Sequence, residues 1–281
     1  MRPFGAELGV PLPRNRGVPR VEIDIVIPSR FGSRRFPGKP MELIRGRSLL
    51  NRVWSIARAV SGVRQVYVAT DDQRIVDHAA SFGAKAIMTR PECENGTERV
   101  REAIATLADK PQAVLNLQGD AVLTPPWVLQ ALVEAFNADP SIRLVTPAVR
   151  CSWRQLEEIT ESKKVSPTSG TMVTMDKFGN ALYFSKNIIP YLRIKNPDQP
   201  PPVYRHIGIY GYELNALEEL ATLPQTPLEI AEQLEQLRAL ENGIPIRVVT
   251  VDYRNRTHWS VDAPEDVTIA ERIIDNEGEL T

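Results

Sequence analysis

Only two cysteines, Cys93 and Cys151, occur among the 281 residues. That is too few for a disulfide framework or a cysteine-based zinc site, so a reducing, cytoplasmic setting is the default. No apolar run reaches the length of a membrane span. The first twenty residues hold four prolines and no apolar core, so they read as a flexible extension and not as a secretory signal. The net charge of -1 lacks the basic surplus that general nucleic-acid binding needs. GxxxxGK[ST] and GxGxxG are both missing, as are internal repeats and coiled-coil heptads.

What is present is a concentrated basic loop. In IVIPSRFGSRRFPGKP, residues 25–40, an apolar strand-like run empties into a segment carrying Arg30, Arg34, Arg35 and Lys39. Gly32 and Gly38 allow the backbone to wrap closely around a ligand and aim N–H groups at it. Arginine offers a planar fork to phosphate oxygens, and lysine supplies a compact charge. By composition alone such a run is most often a solvated loop. Its place at a strand's carboxyl end is where open α/β sheets bind ligands, and four cations there ask for a polyphosphate.

The hydrophobic pattern alternates strands and helices. Strands are expected at 21–27, 65–70, 84–88, 113–117 and 144–149, and helices at 48–60, 73–82 and 97–107. Crossovers of that length imply a Rossmann-like α/β fold with a mostly parallel, helix-covered sheet. After residue 149 the beat stops. Turn signals such as Asp176-Lys177-Phe178-Gly179 and a proline-rich stretch at 196–202 suggest a smaller antiparallel insertion over 151–204 within a single domain of 21–281. A strand at 204–212, a helix at 227–241, a strand at 246–251 and a closing helix at 263–275 complete the pattern.

Two aspartates stand at strand ends. Asp120 follows AVLNLQG beside the basic loop, and Asp262 lies in HWSVDAPED just before the last helix. Mg²⁺ is held by one or two carboxylates together with substrate phosphates and water, so this pair suits a metal-assisted phosphoryl-type transfer. The structural alternatives are a turn aspartate for Asp120 and an N-cap for Asp262. Asn95-Gly96-Thr97-Glu98-Arg99 opens a helix with short polar residues able to grip a base or ribose; as a capping motif it would need no ligand.

IPSRFGSRRFPGKP, VATDD, NGTERV, NLQGD, NALYFSK, YRHIGIYGY, LEQLRALENG and VDAPEDV occur in this order and together resemble the CMP-Kdo synthetases, the 3-deoxy-manno-octulosonate cytidylyltransferases. The resemblance runs from about residue 22 to 272. It implies transfer of CMP from CTP to an acidic acceptor with release of pyrophosphate, Mg²⁺ as cofactor, and a homodimer with 151–204 as its interface. Carried over by position, Arg30, Arg35, Lys39 and Asp120 are implied to act in the reaction. Pro28, Ser29, Arg30, Lys39, Asn95, Gly96, Thr97, Arg99 and Gln118 are implied to hold the nucleotide. Asp120 and Asp262 are implied to hold the metal, and Arg34, Lys186, His206, Tyr210, Glu235 and Gln236 to face the acceptor. As polar residues in an otherwise amphipathic helix, Glu235 and Gln236 suit a site by themselves, with a solvated helix face as the alternative, whereas a lone His206 in an apolar strand reads more often as a core histidine.

The departures from that pattern gather on the acceptor side. Ala121 stands where the family has an acidic residue, Met172 where it has a lysine, and Lys186 where it has an arginine, while Arg34 adds a cation. The first expectation is therefore cytidylyl transfer to Kdo or a close 2-keto-3-deoxy sugar acid. The alternatives are a non-sugar acceptor such as a phosphonate carboxylate, and a CTP-binding regulator without turnover.

Overall fold

The structure, a computed structural model, describes residues 20–32 and 35–281. Arg34 and the extension expected at 1–20, apart from Arg20, lie outside the described residues. The first half builds β1 (Ile23–Pro28), a small hairpin of β2 (Leu43–Ile44) and β3 (Arg47–Ser48), α1 (Leu49–Arg58), β4 (Gln65–Thr70), α2 (Gln73–Ser81), β5 (Lys85–Met88), α3 (Gly96–Ala105), β6 (Ala113–Asn116), α4 (Pro126–Ala138) and β7 (Leu144–Arg150). The second half adds α5 (Trp153–Val165), β8 (Thr171–Met175), β9 (Ala181–Ser185), β10 (Tyr204–His206), β11 (Tyr210–Glu213), α6 (Leu214–Thr222), α7 (Pro227–Glu232), α8 (Gln236–Glu241), β12 (Ile246–Thr250) and α9 (Pro264–Glu277).

The strands form one mixed ten-stranded sheet. Its parallel part runs β5-β4-β1-β6, β11 then enters antiparallel between β6 and β7, and β12 pairs parallel with β7. β10 runs antiparallel to β7 and β8, and β8-β9 forms a hairpin through the Asp176 to Gly179 turn. β1 and β6 are buried almost throughout, which is why they read as continuous apolar runs. Helices cover both faces, and their packed sides form two large apolar clusters, one around Ile25, Leu115 and Phe136, the other around Val26, Val114 and Leu237.

Three helices, α4, α5 and α6, were not anticipated; α5 lies where only antiparallel structure was expected. Two anticipated elements are broken. The strand expected at 204–212 stops after His206 because Pro147 of β7, opposite it, has no N–H to donate; Ile207 N donates to the Pro147 carbonyl and Thr146 Oγ1 to the Ile209 carbonyl at 2.7 Å. The helix expected at 227–241 becomes α7 and α8 because Gln233 adopts a left-handed φ of 54°. The Arg238 side chain reaches back to Glu229 at 2.8 Å and ties the halves together.

Candidate functional site

The carboxyl ends of β1 and β6 and the start of α3 surround a cleft of about 240 Å³. It is lined by Pro28, Ser29, Arg30, Arg35, Lys39, Asn95, Gly96, Gln118, Asp120 and Asp262, with Arg99, Cys93 and Glu94 at its wall. The sequence places these residues more than two hundred positions apart; the parallel register of β1 with β6 brings their loops together.

Glycines set how closely the loops approach. A Cβ on Gly119 would lie 2.9 Å from the Pro28 carbonyl oxygen, closer than real carbons come. One on Gly96 would meet the Gln118 amide at 3.2 Å and Pro28 at 3.3 Å. In the basic loop Gly38 takes a left-handed φ of 74°. Arg74 stacks over the Phe31 ring, 3.4 Å from its centroid, and anchors the loop to α2.

The cleft's charges converge on Lys39. Its ammonium lies 3.2 Å from Asp120 Oδ2 and 4.0 Å from Asp262 Oδ1, and donates to the Val261 carbonyl at 2.9 Å. Arg35, exposed, stands 3.9 Å from Asp262. Burial pushes the Asp120 carboxyl up, the ammonium of Lys39 opposes this, and the charge of Asp262 adds to it. Two carboxylates sharing one ammonium form a site that wants positive charge. Their hard oxygen donors beside a basic loop fit a divalent cation completed by phosphate and water. Asp262 is not the cap of α9: Ala263 holds that position, and the Asp266 carboxylate accepts the N–H groups of Asp262 and Ala263 at 2.8 Å each. Its own carboxylate is therefore left to the cleft.

Other expected nucleotide residues have protein partners. The Asn95 side chain caps α3, accepting from Glu98 N at 2.8 Å. Arg99 is buried; its guanidinium donates to Asp71 at 2.9 Å and to Thr89 at 2.6 Å, so it braces the ends of β4 and β5 against α3. Gln118 Nε2 donates to Asn116 Oδ1 at 3.1 Å. Ser29 Oγ, buried, has no partner among the described residues.

The expected acceptor residues other than Arg34 lie outside the cleft lining. His206, buried, shares a 2.8 Å hydrogen bond with Thr146 Oγ1 and meets Phe184 edge-on. Burial pushes its imidazole down to about 3, and nearby Lys186 and His258 act in the same direction, so it is neutral. The rings of His206, Tyr210 and Tyr212 follow one another at 5.4 and 6.0 Å. Lys186 donates to Thr171 Oγ1 at 3.1 Å, and burial lowers its pKa. Glu235 and Gln236 are not a solvated face. The break at Gln233 turns them inward: Gln236 is buried with Nε2 unpartnered, and Glu235 accepts from Thr97 Oγ1 at 3.2 Å.

The position of the absent lysine is also reinterpreted. Met172 is fully buried against Cys151, Leu156 and Val203, an apolar setting, and Ala121 is buried in the main core. The neighbouring cation comes from α5: Lys163 donates to the Ser169 and Lys186 carbonyls at 2.5 Å each, with Lys186 and Arg205 close enough to depress its pKa after burial itself. Lys163, Arg205, Asp71 and Tyr212 were not singled out from sequence. Only Asp71 had a signal, as the end of the VATDD strand.

Comparison with known proteins places the chain in a family. The family described as Cytidylyltransferase matches residues 25–248. The 3-deoxy-manno-octulosonate cytidylyltransferase of Maricaulis maris is 52% identical over 91% of this chain and 98% of its own length. That of Chlamydia trachomatis serovar L2 is 40% identical over 89% and 92%. Among solved structures, a CMP:2-keto-3-deoxy-manno-octonic acid synthetase complexed with CTP superposes with a TM-score of 0.80 at 34% identity, covering 91% of this chain and 99% of that one.

Proposed function

The chain belongs to the cytidylyltransferase family, and on that footing we propose that it transfers the cytidylyl group of CTP to 3-deoxy-manno-octulosonate with release of pyrophosphate. The observation that carries the reading is the meeting of Lys39, Asp120 and Asp262 beneath the basic loop. The acceptor is supported by relatives of that name at up to 52% identity across nearly their whole length.

In this reading Arg30, Arg35 and Lys39 grip the triphosphate, while Asn95, Gly96 and Gln118 bound the cytidine side. Lys186, Tyr210, Glu235 and Gln236 orient the sugar acid. Glu235 offers a carboxylate oxygen and Gln236 an unpartnered N–H, a pair suited to a sugar hydroxyl that both donates and accepts. The acceptor hydroxyl, having given up its proton to solvent, attacks the α-phosphorus as an oxyanion; its bond to phosphorus forms, and the bond to the bridging oxygen breaks, so that this oxygen leaves with its electron pair as pyrophosphate. Positioning and electrostatics supply the acceleration, and no side-chain nucleophile is needed. Asp120 and Asp262 would hold Mg²⁺, which when bound neutralises charge on the phosphates.

Assembly and setting are part of the proposal. Tyr191 and Ile194, 91% and 83% exposed within 151–204, favour a second copy of this chain as partner there. Both cysteines are buried free thiols, consistent with a cytoplasmic protein, and among the described residues no helix is long and apolar enough to cross a membrane.

Pyrophosphate release from CTP and Mg²⁺, measured with Kdo, with phosphonoformate and without acceptor, tests the reading. Release that depends on Kdo is expected. Release with phosphonoformate alone would transfer the assignment to a non-sugar acceptor, and tight CTP binding without release would make the chain a regulator.

A further inference from the structure

We infer that Thr97, although it lies at the start of the helix that borders the nucleotide cleft, is a positioning residue for the acceptor: its hydroxyl, backed by Tyr212, fixes the Glu235 carboxylate against the sugar acid. The inference rests on the functional reading above and adds the linkage between its two halves.

With Glu235 ionised, the two hydrogen bonds can run in only one direction. Thr97 Oγ1 lies 3.2 Å from Glu235 Oε2 and 3.4 Å from the Tyr212 hydroxyl. An ionised carboxylate only accepts, so Thr97 spends its single proton on Glu235. Tyr212 must then be the donor to Thr97, giving a chain from Tyr212 through Thr97 to Glu235. Tyr212 is 2% exposed and burial raises its pKa, which keeps its proton in place to donate. Thr97 itself is buried, with its hydroxyl engaged on the Glu235 side.

The groups around Glu235 come from three directions. α3 contributes Thr97 and Glu98, β11 contributes Tyr210 and Tyr212, and the α7-α8 pair contributes Glu229 and Arg238. Glu229 and Arg238 pair with each other, which leaves Thr97 as the donor on the carboxylate. Burial raises the Glu235 pKa and the Thr97 hydrogen bond is the largest opposing influence. Removing that hydroxyl thus favours the protonated acid, which no longer accepts freely from a sugar hydroxyl.

The linkage also explains why the helix start beside the nucleotide cleft carries threonine. Thr97 is the second residue of α3, directly after Gly96, whose place against Gln118 and Pro28 borders the CTP cleft.

The test uses the full chain with CTP, Mg²⁺ and Kdo. Thr97→Val keeps the shape and loses the hydroxyl. It should raise the KM for Kdo about tenfold, the cost of a hydrogen bond to a charged group, while the KM for CTP changes less than about twofold. The acid limb of the kcat/KM profile for Kdo should move to higher pH. Thr97→Ser should restore both, and Tyr212→Phe should shift them the same way by less. A rise in the KM for CTP with that for Kdo unchanged, or an unmoved acid limb, overturns the inference. Calorimetric CTP affinity needs no turnover, and its loss in Thr97→Val overturns the inference whatever the acceptor. Lack of Kdo-dependent turnover in the unaltered chain instead overturns the functional reading.

Discussion

The two halves of the candidate site are built by opposite means. The half proposed for CTP consists of four loops, following β1, β5, β6 and β12, with exposed or half-exposed charges that partner one another: Lys39 with Asp120 and Asp262, Arg35 with Asp262. The half proposed for the acceptor consists of single side chains on or beside β9, β10, β11 and the α7-α8 break, with His206 and Gln236 buried and Lys186, Tyr210 and Glu235 half-buried among aromatic rings and neutral hydroxyls. A triphosphate brings enough charge to organise exposed cations. A single sugar acid does not, so its wall must be rigid beforehand.

Substitutions separate the halves. The largest effect is expected from Asp120→Ala, which leaves Lys39 facing one carboxylate and removes one of the two proposed metal ligands; kcat should fall about a thousandfold, read as pyrophosphate release. Near-native turnover would remove Asp120 from the metal site. Gly119→Ala comes next. Its methyl would strike the Pro28 carbonyl, so the two loops must part; overpacking of this kind costs about 1–3 kcal/mol. The KM for CTP should rise between about tenfold and a hundredfold, with a lower melting temperature, and an unchanged KM would show that the loops need not touch.

Lys186→Met should act on the other half alone. It keeps the buried stem and removes the charge, so the KM for Kdo should rise about tenfold while calorimetric CTP affinity stays constant; equal losses in both would merge the halves. The smallest effect is on stability. His206 in the fold binds a proton only near pH 3, whereas an exposed histidine does so near pH 6.5. Between these values the unfolded chain takes up the extra proton. The stability from neutral His206 is thus complete above about pH 6.5 and is lost as pH falls through the folded value. Between pH 6.5 and 5 this amounts to about 2 kcal/mol. The urea midpoint should fall less steeply with acid in His206→Gln than in the unaltered chain, and parallel slopes would mean that His206 is not buried neutral.

How much was legible in advance follows the same division. β1, β4 and β6 and the helices between them were readable because each is mostly buried or has one apolar stripe, and local sequence records that. The breaks at Pro147 and Gln233 were not readable. Pro147 matters only because β10 and β11 lie opposite it, and the Gln233 turn only because Arg238 reaches back to Glu229. Arg99 looked like a nucleotide ligand from its motif; Asp71, 28 residues earlier, occupies its guanidinium. Met172 looked like a lost cation, and Lys163 from a helix unseen in the sequence stands beside that place.

By itself, then, the sequence determined the parallel half of the sheet, the basic loop at the end of β1 and the two aspartates that follow strand ends, since these depend on period, charge and loop chemistry within short stretches. Tertiary structure alone decided that Lys39 lies between those aspartates, that Glu235 and Gln236 turn inward, and that Thr97 joins the two halves. Each of these is a contact across roughly eighty or more residues of chain, fixed by sheet register and packing, and no local pattern encodes it.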